Sequence, residues 1–558
     1  MEKCTVPCKN AKLYYVSIIP VVVGIITFLI IYGLTPLNVT NDNWIMSGYD
    51  EFDIFQHYAG WLAFRNSKWA FPLGMADQMA VGVGTIISFT DSIPIVAIIF
   101  KLFRNVLPET FQYFGLFTLT CYILQSIAAF KILMLETEDV IYSTIGTLLF
   151  SFAPVFLERA FRHTALGAQW LILFSIYLYL KYCIQEHKNV YLYFMILEVL
   201  AIGIHPYFLP MVGCFVLLCV IRDVRKKYYY SIIYLFAIQI ITCLFGYVIG
   251  ALGSGVEVYR TGYGYYSMNL NAMINPSSCG QYTWSSILKP LSQTLGNYDG
   301  FNYLGAGVLL LGIVVVLLIF FMRQDKLVFG MVKRQIFLVG ICIILTCFAI
   351  SNVVTYSDRI LFTVPFPEFL SNVCSIFRAS SRMFYPVYYI IFLTLIILLW
   401  RILKDEKKKC AYAVLGFIVL LQIFDLHRCI MEKHRFMNEK ASYVSYIDDM
   451  KLKEIGENAE SILLEEIEPI YKITLPVWAF KNNMATYYSV ANSGDYGVTN
   501  NLSDELLAEV KETGNIGKNV IVTNNSEIVD LYDQYENISV YNIDDIYFIY
   551  NNGENEMD

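Results

Sequence analysis

Residues 13–34 read LYYVSIIPVVVGIITFLIIYGL, a run without a single charged side chain. A membrane-crossing helix needs about 20 mostly apolar residues. This run is too long for the core of a signal peptide, and no small-residue cleavage site follows it. It predicts a first membrane span. The same pattern recurs near 112–134, 138–157, 166–184, 189–203, 207–221, 228–252, 302–322, 335–351, 383–400 and 410–427, for about eleven spans in all. The composition of the 558 residues agrees, with 57% hydrophobic and 16% charged side chains, where a soluble domain carries about a quarter charged. A plain soluble enzyme, a disordered protein and a nucleic-acid binder with a basic face are all excluded. The expected fold class is an α-helical polytopic membrane protein.

The stretches 189–203 and 207–221 are short and meet at His205-Pro206, which reads as a broken helical hairpin turning near the surface. Basic residues gather in alternate connections, from Lys3, Lys9 and Lys12 through Arg222–Lys227 and Arg323–Arg334 to Arg401–Lys409. By the positive-inside rule the N-terminus is cytoplasmic, and the loops 35–111, 158–165, 253–301 and 352–382 face outward with the tail after 428. Ser92 to Phe103 is apolar enough to span, yet a span there would invert every later loop. It is read as a re-entrant or interfacial helix.

The charge divides the chain in the same place. From position 430 onward there are 24 acidic and 9 basic residues, so a net charge of −7 conceals an acidic tail and a basic membrane part. Beyond about 440 short β-rich runs appear (Tyr471 to Val477, Asn519 to Thr523, Ile538 to Tyr541, Ile546 to Tyr550) around a polar helical stretch, Leu502 to Glu512. The expected organisation is a transmembrane domain over 1–428 and a small extracytoplasmic α/β domain over 429–558. Most of the 13 cysteines lie inside apolar runs and no CxxC pair occurs, so neither a disulfide framework nor a zinc site is expected. Heavy use of Ile, Asn, Tyr and Lys is that of an AT-rich bacterial genome, and the absence of a barrel pattern fits a multi-pass plasma-membrane protein.

Asp53, Gln56, His57, Asp91, Arg162, His163, Gln169, His205, Arg359, Arg378 and Arg382 all fall in, or at the edge of, the outside loops. Ionisable groups near membrane segments are costly and mark functional sites; their shared side points to one site assembled from several loops. In Asp50-Glu51-Phe52-Asp53-Ile54-Phe55-Gln56-His57-Tyr58, apolar and polar residues form neighbouring stripes at helical spacing. An amphipathic helix along the membrane surface explains both stripes and sets Asp53 and His57 one turn apart. A carboxylate there serves either as general base toward an acceptor hydroxyl or as ligand to a divalent cation. Asp91-Ser92 precedes Pro94 and reads first as the N-cap of the next helix, with a second catalytic carboxylate as the alternative. Arg162 and His163, with Arg378 and Arg382 one helical turn apart, suit either a lipid-linked phosphate or ordinary headgroups. No Walker loop, GxSxG elbow or HExxH occurs, and the cytoplasmic loops are too short to hold a nucleotide. Any donor substrate is therefore a lipid or arrives from outside.

An apolar first span followed by a long outside loop with an interfacial helix and an early Asp resembles the GT-C superfamily of polytopic glycosyltransferases. Closer still is the similarity to an uncharacterised bacterial family within it. It rests on Asp53-x-x-Gln56-His57-x-x-Gly60-Trp61, Trp69-x-Phe71-Pro72-Leu73-Gly74, Phe89-Thr90-Asp91-Ser92-Ile93-Pro94 and Arg162-His163 with Gln169-Trp170. His205-Pro206-Tyr207, Gly300-Phe301-x-Tyr303-Leu304-Gly305 and Phe377-Arg378-Ala379-Ser380-x-Arg382 complete the set. The resemblance implies a GT-C-like bundle and transfer of a sugar from a polyprenyl-phosphate-linked donor, on the outer face of the plasma membrane, to a glycan, lipid or protein acceptor. It gives Asp53 the role of base or metal ligand, the metal being Mg or Mn, and gives Arg378 and Arg382 the carrier phosphate. Asp91 stands as the second carboxylate, with Gln56, His57, Arg162, His163, Gln169 and His205 on the substrates. The rival readings are a transporter or flippase of lipid-linked sugars, which suits broken helices, and a non-catalytic envelope scaffold.

Overall fold

The computed structural model describes residues 8–48, 53–185, 189–253, 262–278, 282–405, 407–491 and 497–552. A helix forms at each of the eleven apolar stretches, from Cys8–Tyr32 to Lys408–Glu439. Five are long and apolar enough to cross a membrane: Phe114–Thr137, Thr164–Ile184, Tyr230–Ile249, Ser380–Leu403 and Lys408–Asp448. A sixth is counted if Ala306–Phe321 and Asp325–Arg334, bent by 115°, form one span. Val140–Ser151 and Val190–Ile204 are shorter, at 12 and 15 residues, for reasons visible in the sequence. Pro154 ends Val140–Ser151 by opening a new helix, and His205-Pro206 separates Val190–Ile204 from Phe208–Arg225. The first helix packs against Phe114–Thr137 at Gly24, where a Cβ would lie 2.7 Å from the Ile123 backbone, so only glycine allows the approach.

The first outside loop departs from expectation. Its helix Asp53–Asn66 forms where the spacing predicts, but every residue from Ile54 to Phe64 is buried. The helix does not lie along a membrane surface, because protein encloses both stripes. The turn 87–92 covers the polar one, where Gly60 lets the helix settle onto Thr90 and Ser92. Helix Tyr471–Lys481 of the tail also packs on it. Pro94–Lys101 has 8 residues, about 12 Å of helix against the roughly 30 Å of a hydrocarbon core, so it does not cross. Its N-cap is Ile93 with Pro94 following, and no side chain caps it. The capping reading of Asp91-Ser92 is therefore corrected: both side chains point elsewhere.

The tail is an α/β unit. Its five-stranded sheet has the order Ala485–Thr486, Ser461–Leu464, Asn519–Thr523, Ile546–Asn551, Ile538–Ile543. The first three strands run parallel and the last two pair antiparallel. Tyr471 to Val477, expected as a strand, is helical. Apolar residues at every position from Leu475 to Phe480 are buried on two fronts, with Trp478 against Phe548 of the sheet at 5.1 Å between rings. Lys408–Glu439 runs unbroken past residue 428. The tail is stitched to the first loop: Thr486 donates to the Gln78 carbonyl at 2.8 Å, Asn66 to that of Phe480 at 2.6 Å, and Lys481 pairs with Asp42 at 2.8 Å. Loop and tail thus share one side of the helical bundle.

Because a Cβ at Gly60 would overlap Thr90 Oγ1, Gly60→Val should destabilise the protein by about 1–3 kcal/mol. Thermal unfolding in detergent and proteolysis of residues 67–92 would both register it.

Candidate functional site

The turn after Thr90 is built to hold one carboxylate. Asp91 and Ile93 both have φ of 56°, left-handed values that non-glycine residues adopt at a cost. Thr90 Oγ1 meets Ser92 Oγ at 2.8 Å, Ser92 Oγ donates to the His57 carbonyl at 2.7 Å, and Tyr113 donates to the Ser92 carbonyl. These contacts turn the Asp91 carboxylate inward between two imidazoles, with His57 Nε2 at 3.4 Å and His205 Nε2 at 3.7 Å. The Tyr207 backbone N–H donates to His205 Nδ1 at 3.2 Å, so the ring proton sits on Nε2, facing Asp91. Burial pushes Asp91 up, but hydrogen bonding from His57 and the charges of His205, His57 and Arg382 outweigh it and hold the carboxyl below its ordinary value.

A second carboxylate, Asp299, gathers the arginines. Arg159, fully buried, gives Nη1 to Asp299 Oδ1 at 2.7 Å and Nη2 to its carbonyl at 2.8 Å. Arg382 reaches the same carboxylate through Nε at 3.1 Å and Nη2 at 3.2 Å, and Ser381 donates to the carbonyl at 3.1 Å. Burial opposes ionisation of Asp299, yet Arg159 and Arg382 overcome it and keep the group far below the usual carboxylate range. Arg159 Nε also meets Glu158 at 2.8 Å, and Glu158 in turn holds Arg162.

Asp53 is the most exposed carboxylate of the group, its side chain 35% exposed. Arg162 Nε lies 3.9 Å and His163 Nδ1 3.8 Å from Oδ2. Arg159 Nη1 is 3.3 Å from that same Nδ1, and since an arginine can only donate, Nδ1 accepts and His163 is neutral. Burial first, then the nearby Arg382, Arg159 and Arg162, push its pKa well below the usual histidine value. The half-exposed carboxylate therefore has a fixed cation on one side and an uncharged ring on the other.

Asp53, His57, Asp91, Arg162, His163, His205 and Arg382 thus join one cluster. Gln56 donates to the Phe89 carbonyl at 3.3 Å, at the back of the Asp91 turn. Arg378 lies half-buried beside the cluster, its guanidinium 5.8 Å from the Tyr266 ring, while Arg382 stacks at 5.0 Å on Tyr207. Gln169 sits apart, donating to the Val155 carbonyl and accepting from Tyr389 within the helix core. Arg359 is carried outward on an exposed strand. Asp50 and Glu51 lie outside the described residues. Nothing in the sequence singled out Asp299, though it immediately precedes Gly300-Phe301, or Glu158, and Tyr207 entered only as part of His205-Pro206-Tyr207, without a role. Among the described residues no three His, Cys, Asp or Glu side chains converge as metal ligands.

Two outcomes follow. Asp299→Asn leaves buried arginines short of a counter-charge and should cost about 3–5 kcal/mol, read as a lowered thermal midpoint. Burial pushes His205 down to about 4 despite the pull of Asp91, whereas an unfolded histidine protonates near pH 6.5. The unfolded chain therefore binds more protons across that window, and stability falls as pH drops from about 6.5 to about 4. Thermal midpoints measured against pH should show that slope, and His205→Gln should flatten it.

A search of the curated proteins finds no match to this chain. A family model described as Domain of unknown function (DUF6311) matches residues 21–427, and the chain belongs to that family.

Proposed function

We propose that the chain is a GT-C-type membrane glycosyltransferase of the bacterial plasma membrane, moving a sugar from a polyprenyl-phosphate-linked donor to an extracytoplasmic glycan, lipid or protein. In this reading all eleven apolar helices belong to the membrane domain, the N-terminus is cytoplasmic and the tail lies outside. The observation that carries it is the cluster itself: a half-exposed carboxylate of the first loop, Asp53, beside Arg162 and joined through His163 and Arg159 to Asp299 and Arg382.

Asp53 accepts the proton of the acceptor hydroxyl as that oxygen attacks the anomeric carbon. Arg162 Nε faces it at 3.9 Å. His163, neutral, adds no charge of its own beside it. The bond from the anomeric carbon to the carrier phosphate oxygen breaks, with inversion, and the departing phosphate gains charge facing Arg378 and Arg382. Asp91, turned inward between His57 and His205, orients the two rings.

One observation favours the rival transporter or flippase. Glu198 is 1% exposed within the Val190–Ile204 helix, and carboxyls at such depth serve ion and proton pathways in transporters. Asp53→Asn decides between them. As a general base its loss should lower transfer by about 10²–10⁴-fold while detergent-solubilised protein keeps its thermal midpoint. Surface glycans compared at matched expression should lose one sugar; unchanged glycans, in a strain where deletion alters them, would support the flippase or the envelope scaffold.

A further inference from the structure

The segment 352–377 is a small, well-built unit with a surface that does not suit water. Strands Val353–Tyr356 and Arg359–Thr363 form an antiparallel hairpin. The first strand is pinned to the protein. Thr355, 2% exposed, donates to Asn297 at 3.2 Å, its carbonyl accepts from Leu270 at 3.1 Å, and the Ser357 N–H donates to Asn269 at 3.1 Å. The second strand is exposed at all five positions.

Ile360, Leu361 and Phe362 are 61%, 53% and 56% exposed, and Phe369 and Ile376 beyond them 79% and 54%. Water-facing monomers rarely present contiguous apolar patches beyond a few hundred Å². Ile360 and Phe362 pair with Thr355 and Val354, Leu361 bulges between them, and all three residues are more than half exposed. A fluid apolar medium covers such an irregular apolar surface without needing a matching shape.

The position agrees. The hairpin leaves the apolar helix Ile336–Ile350 two residues after its end, and the segment leads into the candidate span Ser380–Leu403. Ser380 Oγ donates to the Ala349 carbonyl at 3.1 Å, so the two helices end at one level. The exposed apolar surface of the first, including Ile343 and Ile344, leads along the chain into the hairpin. Between Arg359 and Arg378 the sequence contains one charged residue, Glu368. A run of aromatic and aliphatic side chains bracketed by arginines is the pattern of a segment seated at a bilayer interface, its guanidiniums at headgroup level.

We propose that residues 356–377 dip into the lipid leaflet on the side of the bundle where the Asp53–Arg382 cluster opens. The partner is the bilayer itself, and the element sets the depth of the leaflet against Arg378. The inference rests on the membrane reading of Ser380–Leu403 and not on the chemistry of transfer.

The test is photolabelling of the full chain in vesicles of phosphatidylcholine and phosphatidylglycerol doped with an acyl-diazirine phosphatidylcholine, with adducts mapped by peptide mass spectrometry. Peptides covering 356–377 should carry adducts as the lipid-facing helix Tyr230–Ile249 does, while the tail helix Gly497–Thr513 carries none. Leu361→Lys with Phe362→Lys should abolish labelling of that peptide and leave 230–249 labelled. Absence of adducts on 356–377 in the unaltered chain, with 230–249 labelled, would overturn the proposal. So would a chemical crosslink between two copies through 356–377 in the same vesicles, which would assign the surface to self-association. Neither outcome depends on sugar transfer, so a failed Asp53→Asn test and a failed labelling test remain separate results.

Discussion

The structure depends on one buried carboxylate, Asp299, and the two arginines it holds. Arg159 lies 140 positions and Arg382 83 positions away along the chain, yet all three meet where water is nearly excluded. Removing such charges from water costs several kcal/mol per ion. The cost is offset because Arg159 binds carboxylate and carbonyl together and Arg382 grips both carboxylate oxygens. The loop before Ala306–Phe321, the end of Pro154–Arg159 and the start of the Ser380–Leu403 span are thereby fixed to one point. The cluster inherits its geometry from that junction.

A second constraint comes from the other direction. The first-loop helix is enclosed on both stripes, by the Asp91 turn and by the helix Tyr471–Lys481 of the tail. The tail therefore belongs to the architecture of the site: it presses the helix that bears Asp53 and His57 onto the turn that bears Asp91. In the proposed reaction an acceptor bound by the tail would lie next to the loop that bears Asp53, which would give the acidic α/β unit a reason to be attached to the helical bundle.

Much of this was legible in the sequence. Spacing placed Asp53 and His57 one turn apart on a helix, apolar runs located all eleven helices, and the side of the chain on which polar residues collect anticipated their convergence. What was not legible depends on distant partners. Tyr471 to Val477 has β-forming side chains, but a helix buries Leu475 to Phe480 against sheet and loop at once, and tertiary packing overrides propensity. The stripes of the 53–66 helix read as amphipathic because nothing local says that a tail 400 residues later will cover it. Asp299 is a lone acid among glycine and aromatic residues, and its meaning lies in arginines that only the fold brings near. Asp91 was ambiguous for a related reason: a carboxylate before a proline is both a good cap and a good ligand, and the left-handed turn decides between them.

The charge balance of the cluster bears on the proposed chemistry. Asp53, Asp91, Glu158 and Asp299 face Arg159, Arg162 and Arg382, so with neutral imidazoles the carboxylates exceed the guanidiniums by one. Among these described groups the guanidiniums are already matched by carboxylates, so an arriving phosphate adds to an existing excess and leans on Arg378 at the edge. A proton placed on Asp53 removes that excess. Taking the acceptor proton and accommodating the charge that develops on a departing phosphate are then electrostatically coupled, because each relieves the cost of the other in a medium of low dielectric. Arg378, at the edge of the cluster and at the end of the segment proposed to meet the leaflet, is where a lipid-borne phosphate would first encounter a guanidinium outside the Asp299 junction. The buried pairs hold the geometry, and the half-exposed Asp53 is the carboxylate whose protonation state can change without dismantling it.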